Sequence, residues 1–145
     1  MCGIAGIVGP AGPSASICIQ TMISSIAHRG PNGQKWLVLP DAAFGHARLS
    51  IIDLDERANQ PMTSANGQYV IVFNGEIYNY KEFGLDGESE SEALLSAYSK
   101  FGVELFRHLD GEFAVVIVDY KENIALVSSD CFGTTYEYFS CKFYK

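Results

Sequence analysis

Two stretches of this chain repeat their apolar residues at helical spacing, whereas every other apolar run is short, β-prone and bounded by turn residues. No other feature limits the fold as much. The first helical stretch carries Ile19, Met22, Ile23 and Ile26 at i, i+3, i+4 and i+7, with Ser14 or Ser16 ahead of it and Gly30-Pro31 as its stop. The second runs from about Glu90 to Phe101, places Leu94, Ala97, Tyr98 and Phe101 on one side, and stops at Gly102. Between and after them lie strand candidates at 3–8, 35–39, 42–49 and 68–73, a hairpin of 113–119 and 124–128 around a polar turn, and an aromatic run at 136–144. Helices separated by groups of hairpin-linked strands predict an α+β fold with mainly antiparallel sheets.

The 145 residues suit one domain, since no repeat, low-complexity tract or linker divides them. With 48% hydrophobic and 19% charged residues, the chain is too apolar for disorder, and its apolar runs are too short to span a bilayer. A net charge of -7 and the absence of any Lys/Arg cluster argue against nucleic acid or anionic lipid as partners and favour a small molecule. The first apolar run has no basic residue before it and is cut by Gly9, Pro10, Gly12 and Pro13, unlike a secretory signal, so the cytoplasm is the expected compartment. Cys2, Cys18, Cys131 and Cys141 match no zinc spacing, and His28, His46 and His108 are too scattered to help, so no metal is expected. Cys18 is expected as a small core residue, and Cys131 and Cys141 as packing or surface thiols.

Cys2 is set apart by its position. Aminopeptidases remove the initiator when the next side chain is small, and the mature chain would then begin with a residue holding both a thiol and a free α-amine. An α-amine titrates at about 8, so it can serve as a base near neutral pH without a histidine. Gly3 permits close backbone approach, and the strand that follows would hold the terminus still. Position alone leaves an accidental second codon equally open.

Ordered motifs separate the two. MCGIAGIVG at the start, HRGPNG at 28–33, GHARLSIIDL at 45–54, NQPM at 59–62, NGEIYNY at 74–80 and DGEFAVVIVD at 110–119 occur in one sequence. The chain resembles the glutaminase domain of class II glutamine amidotransferases, in its asparagine synthetase branch, over nearly its whole length. That resemblance implies an N-terminal-nucleophile hydrolase fold, in which mainly antiparallel sheets are sandwiched by helices (αββα). It also implies hydrolysis of the glutamine side-chain amide to glutamate and ammonia, with no cofactor. By motif match Cys2 would be the nucleophile, and the Asn74 amide and Gly75 N–H the oxyanion donors. Arg48 would hold the substrate carboxylate with backbone groups of Ile51 and Ile52, and Glu76 and Glu90 would receive its ammonium.

This chain departs from the family pattern in several places. Ser89-Glu90-Ser91-Glu92 stands where the family has SDTE, which puts a glutamate at the aspartate position; helix capping is the other reading of these acids. Asn32 replaces the usual aspartate after HRGP, and the segment between NGEIYNY and SESE is short. Of the arginine-aspartate and glycine-lysine-proline stretch near the end, Asp130, Phe132 and Gly133 remain. The 145 residues are read as one shortened glutaminase domain without the ATP-dependent synthetase domain. An ammonia-accepting synthetase on another chain is therefore the expected partner, and an open sheet edge at the shortened C-terminus suits a homodimer. Two functions stand at this point: glutamine hydrolysis that feeds ammonia to that partner, and a non-catalytic glutamine-binding or interaction module.

Overall fold

The computed structural model describes residues 2–9, 12–50, 58–83 and 89–135. Along them run β1 (Gly3–Val8), α1 (Ala15–Ser25), β2 (Gly33–Leu39), β3 (Ala42–Arg48), β4 (Met62–Thr63), β5 (Tyr69–Ile77), α2 (Glu90–Phe101), β6 (Gly111–Asp119) and β7 (Ile124–Ser129). The strands form two sheets, ordered β1-β3-β2 and β4-β5-β6-β7, and every pairing is antiparallel. This is the predicted α+β class with antiparallel sheets.

Side-chain alternation along the strands divides the apolar residues into three clusters. On β3, Ala43 turns to the Ala15 and Ile19 side of α1, while Ala42 and Phe44 turn the other way and meet Val70 and Val72 of β5. The opposite face of β5, through Tyr69, Ile71, Phe73 and Ile77, packs with Leu94, Leu95, Ala97 and Tyr98 of α2. Strand β3 thus meets α1 on one side and β5 on the other, and β5 meets α2 on its remaining face. Complete burial of a side chain such as Ile19 or Ile71 contributes about 1.5–3 kcal/mol.

Helix α1 buries a narrower stripe than its periodicity suggests. Ala15, Ile19 and Ile23 are buried, but Met22 is exposed, the helix ends before Ile26, and Cys18 is exposed rather than a core residue. A Cβ on Gly45 would lie 2.3 Å from the Ile23 side chain, so the helix sits directly on β3 and only one row of its residues meets the sheet. Cys131 is exposed, and Cys141 lies outside the described residues, as does the strand expected at 136–144. Phe101 is also exposed, because α2 ends there as Gly102 turns the chain at φ 56°. Among the described residues, no helix is long and apolar enough to cross a membrane.

The strand at 68–73 continues through Ile77, so Asn74-Gly75 lies inside β5, opposite Ala114 and Phe113 of β6. At the start of α2, the Ser89 side chain accepts from the Glu92 N–H and the Glu92 carboxylate accepts from the Ser89 N–H, a reciprocal cap. Capping thus falls to Ser89 and Glu92, which leaves the Glu90 carboxylate to reach elsewhere.

Candidate functional site

Cys2 immediately precedes β1, and the register Gly3↔Ala47 sets it beside the end of β3. Its half-buried thiol accepts from the Leu49 N–H at 3.4 Å and donates to the Leu49 carbonyl at 3.7 Å. The backbone of Cys2 is held as well, since Arg29 Nε donates to its carbonyl at 3.0 Å. Gly30 makes this possible: a Cβ there would fall 2.1 Å from the Ala47 backbone, so only glycine lets the 3-10 turn of Ala27–Arg29 lie flush on β3. Asn32 completes the brace by donating its N–H to the Arg48 carbonyl and accepting from the Ser50 N–H, both at 3.0 Å.

Alternation places His46 and Arg48 on the Phe44 face of β3, toward the second sheet, and Asn74 and Glu76 on the Val72 face of β5, toward the first. Two consecutive residues join these strands. Asn59 Oδ1 accepts from Arg48 Nη1 at 2.8 Å, and Gln60 Oε1 accepts from the Phe73 N–H. The Gln60-Pro61 bond that follows is cis. Arg48 and Asn74 are both buried, and among the described residues Asn74 Oδ1 finds no hydrogen-bond partner.

Among the described residues, the β4 side of β5 carries a run of backbone donors. Strand β4 pairs only with Val70 and Ile71, and beyond it the Phe73 and Ile77 N–H groups are met by side chains, Gln60 and Glu90, the latter at 2.9 Å. Gly75 occupies the alternate position between them. Its φ is 143°, and a Cβ there would stand 2.0 Å from the Glu112 carbonyl oxygen, so both backbone angle and contact require glycine.

Glu90 is partly buried, and burial pushes its carboxyl pKa up; the Ile77 N–H opposes that shift, and the nearby Glu76 carboxylate adds to it. The two carboxylates predicted to act together are therefore electrostatic neighbours, with Glu76 exposed and Glu90 bound to β5. Ile51 and Ile52 lie outside the described residues. Near the other end of β6, Gln68, Tyr69, Tyr98, Asp119 and Lys121 line a cleft that contains none of the predicted residues. Among the described residues, no group of three or more His, Cys, Asp or Glu is placed to hold a metal ion.

The resemblance implied that His28-Arg29-Gly30-Pro31 braces the nucleophile strand, and Arg29 does hold the Cys2 carbonyl. Three residues were missed from sequence: Asn59 and Gln60 of the NQPM motif, whose tertiary contacts alone show what each holds, and the buried His46. His46 had one readable signal, since it stands two residues before Arg48 on a strand and so shares its face.

Comparison with known proteins places this geometry in a family. The chain matches the glutamine amidotransferase domain over residues 1–142. It is 32% identical to the amidase chry2 of Gibberella zeae, with 97% of this chain and 24% of that protein covered. Against asparagine synthetase [glutamine-hydrolyzing] 2 of Bacillus subtilis it is 32% identical over 92% of this chain and 19% of the relative. For asparagine synthetase [glutamine-hydrolyzing] 1 of the same organism the values are 34%, 92% and 23%. The chain spans about a quarter or less of the length of these relatives. A thiol at the head of a braced strand, an asparagine-glycine pair on the facing strand and a match along nearly the whole chain agree: this chain belongs to the glutamine amidotransferase domain family.

Proposed function

We propose that the protein hydrolyses the side-chain amide of glutamine through Cys2 and supplies the ammonia to an asparagine-synthetase-like acceptor reaction. The observation that carries this reading is the seating of the Cys2 thiol on Leu49 while Arg48, the next residue back, is tied through Asn59-Gln60 to the strand that bears Asn74 and Gly75. With Met1 removed, the Cys2 α-amine takes the thiol proton as sulfur attacks the amide carbon. It then passes that proton to the departing ammonia, and water cleaves the thioester to glutamate. Charge gathers on the amide oxygen during attack. Asn74 Nδ2 and the Gly75 N–H receive it, and the loss of one such donor costs roughly a hundred- to a thousandfold in rate.

Arg48 pairs the substrate carboxylate with help from Ile51 and Ile52, and Glu76 with Glu90 takes the ammonium. No cofactor enters this chemistry. The three apolar clusters are read as the successive layers of an αββα sandwich of the N-terminal-nucleophile type, with residues 1–145 in one glutaminase domain. The compartment is read as cytoplasmic, and the protein as able to form a homodimer.

Incubation with glutamine and measurement of glutamate, beside Cys2→Ala, tests the proposal. Release by the parent alone supports it; equal background from both proteins refutes it. A retained Met1 in the intact mass would also refute it, because the base would be acylated. One observation favours a binding module instead: the Glu90 carboxylate is already engaged by the Ile77 N–H. Glutamine binding by calorimetry without glutamate release would support that second reading.

A further inference from the structure

Strand β3 ends at Arg48, and Leu49 lies past the last pairings that strand makes, Gly3↔Ala47 with β1 and Gly33↔Arg48 with β2. Among the described residues no ladder holds Leu49. Both of its backbone groups are nevertheless committed to the Cys2 sulfur, the N–H as donor at 3.4 Å and the carbonyl as acceptor at 3.7 Å. The thiol can be no better placed than the residue it rests on.

Each of these two groups belongs to a planar peptide unit whose other end points the opposite way. The Leu49 N–H shares its unit with the Arg48 carbonyl, and the Leu49 carbonyl shares its unit with the Ser50 N–H. One residue takes both far ends. The Asn32 N–H donates to the Arg48 carbonyl, and Asn32 Oδ1 accepts from the Ser50 N–H, each at 3.0 Å. Two peptide planes are thus gripped between Asn32 on one side and the thiol on the other. Asn32 is steadied in turn by the Gly30 backbone, which lies against Ala47 and Arg48.

We propose that Asn32 is a positioning residue for the nucleophile: by holding the Arg48 carbonyl and the Ser50 N–H it fixes the tilt of both Leu49 peptide planes, and through them the direction of the Cys2 sulfur. The proposal rests on the amide-hydrolysis reading. Asn32 is exposed, so filling core space gives no reason for its side chain. The grip needs an acceptor one methylene from the backbone that also supplies the N–H, which asparagine or aspartate provides and a hydrocarbon side chain does not.

Three variants separate this role from a general effect on folding. Asn32→Ala and Asn32→Leu keep the backbone arm and lose the side-chain arm, whereas Asn32→Asp keeps both. With folding checked by circular dichroism, Ala and Leu are expected to lower kcat for glutamate release by roughly tenfold or more, as a displaced reacting group does. KM stays within about threefold, because the Arg48 carbonyl is still held, and Asp recovers most of kcat. Amide hydrogen exchange followed by NMR needs no turnover and supplies the independent arm. The Leu49 amide is expected to exchange at least about tenfold faster in Ala and Leu than in the parent and Asp, while the Val72 amide within β5 keeps its rate. Unchanged kcat in Ala and Leu, a loss confined to KM, or Asp no better than Ala would overturn the proposal. So would Leu49 exchange that stays unchanged or quickens only in step with Val72. If Leu fails to fold, the contrast between Ala and Asp still decides. A parent that releases no glutamate refutes the hydrolysis reading by itself, and the exchange arm still decides whether Asn32 holds Leu49.

Discussion

Substitution of Gly75 by alanine puts a methyl group where β5 and β6 leave no room for one. The new Cβ would lie 2.0 Å from the Glu112 carbonyl oxygen and 2.6 Å from Phe113 Cα, both backbone atoms of β6. Backbone cannot rotate aside as a side chain can, so the strands must separate where Asn74 pairs with Ala114. The φ of 143° adds a second cost, because L residues rarely adopt it. A backbone held in such a region costs about 1–3 kcal/mol, and an extra methyl in filled space about as much again. A loss of roughly 4 kcal/mol is expected, set against a total stability of about 5–15 kcal/mol for a domain of this kind. At about 4 °C per kcal/mol for a chain this size, the melting temperature falls by roughly 15 °C.

Thermal melts by circular dichroism read this directly, with two companions. Gly67→Ala is the control for backbone angle alone, since φ is 71° and no atom lies within 4 Å of the new methyl; it should lose only about 1 kcal/mol, or some 4 °C. Gly111→Ala meets the same strand contact from the other side, 2.2 Å from the Glu76 carbonyl oxygen, and should match Gly75→Ala. If Gly75→Ala melts with Gly67→Ala, or if Gly111→Ala is harmless, the close approach of β5 and β6 is wrong.

Three further outcomes are expected. Gln60→Ala strips the buried Phe73 N–H of its acceptor and should cost about 1–3 kcal/mol; chemical denaturation measures the loss, and hydrogen exchange at the Phe73 amide should quicken. Asp130 is held well below the usual carboxylate range, chiefly by the Thr134 hydroxyl against the opposing effect of burial, with the Thr134, Phe113 and Phe132 N–H groups adding to it. Its folded pKa lies below the unfolded value of about 3.9, so its contribution is present above that pH and fades as pH falls. The melting gap between parent and Asp130→Asn should be full from about pH 5 upward and close below about pH 4; a gap constant with pH would show that the charge contributes nothing. Ser89→Ala removes half of the α2 cap and should lower the melting temperature by about 4 °C, near 1 kcal/mol; an unchanged melting temperature would show that the cap does not hold the helix start.

Periodicity alone exposed the class of fold, because helical and strand spacing differ whatever the chain packs against. It misjudged Met22, Cys18 and Phe101 because burial depends on how closely a partner surface approaches, and Gly45 lets α1 sit low enough that one row of residues fills the contact. Asn74-Gly75 illustrates the same limit. The pair has turn chemistry by composition, yet it runs within a strand whose neighbour, β6, passes so close at Glu112 and Phe113 that a side chain at position 75 has no room.

For the candidate site, the sequence by itself supplied the list of residues: a thiol at the second position, one arginine in GHARLS, an asparagine-glycine pair and two acids, each proposed because motif order survives without coordinates. Only the tertiary structure decided how they are held. Arg29 reaches the Cys2 carbonyl across 27 residues and Gln60 reaches Phe73 across 13. Such bonds follow from strand register and sheet packing, which no local window contains, since a hydrogen bond depends on distance in space and the chain must fold before those distances exist.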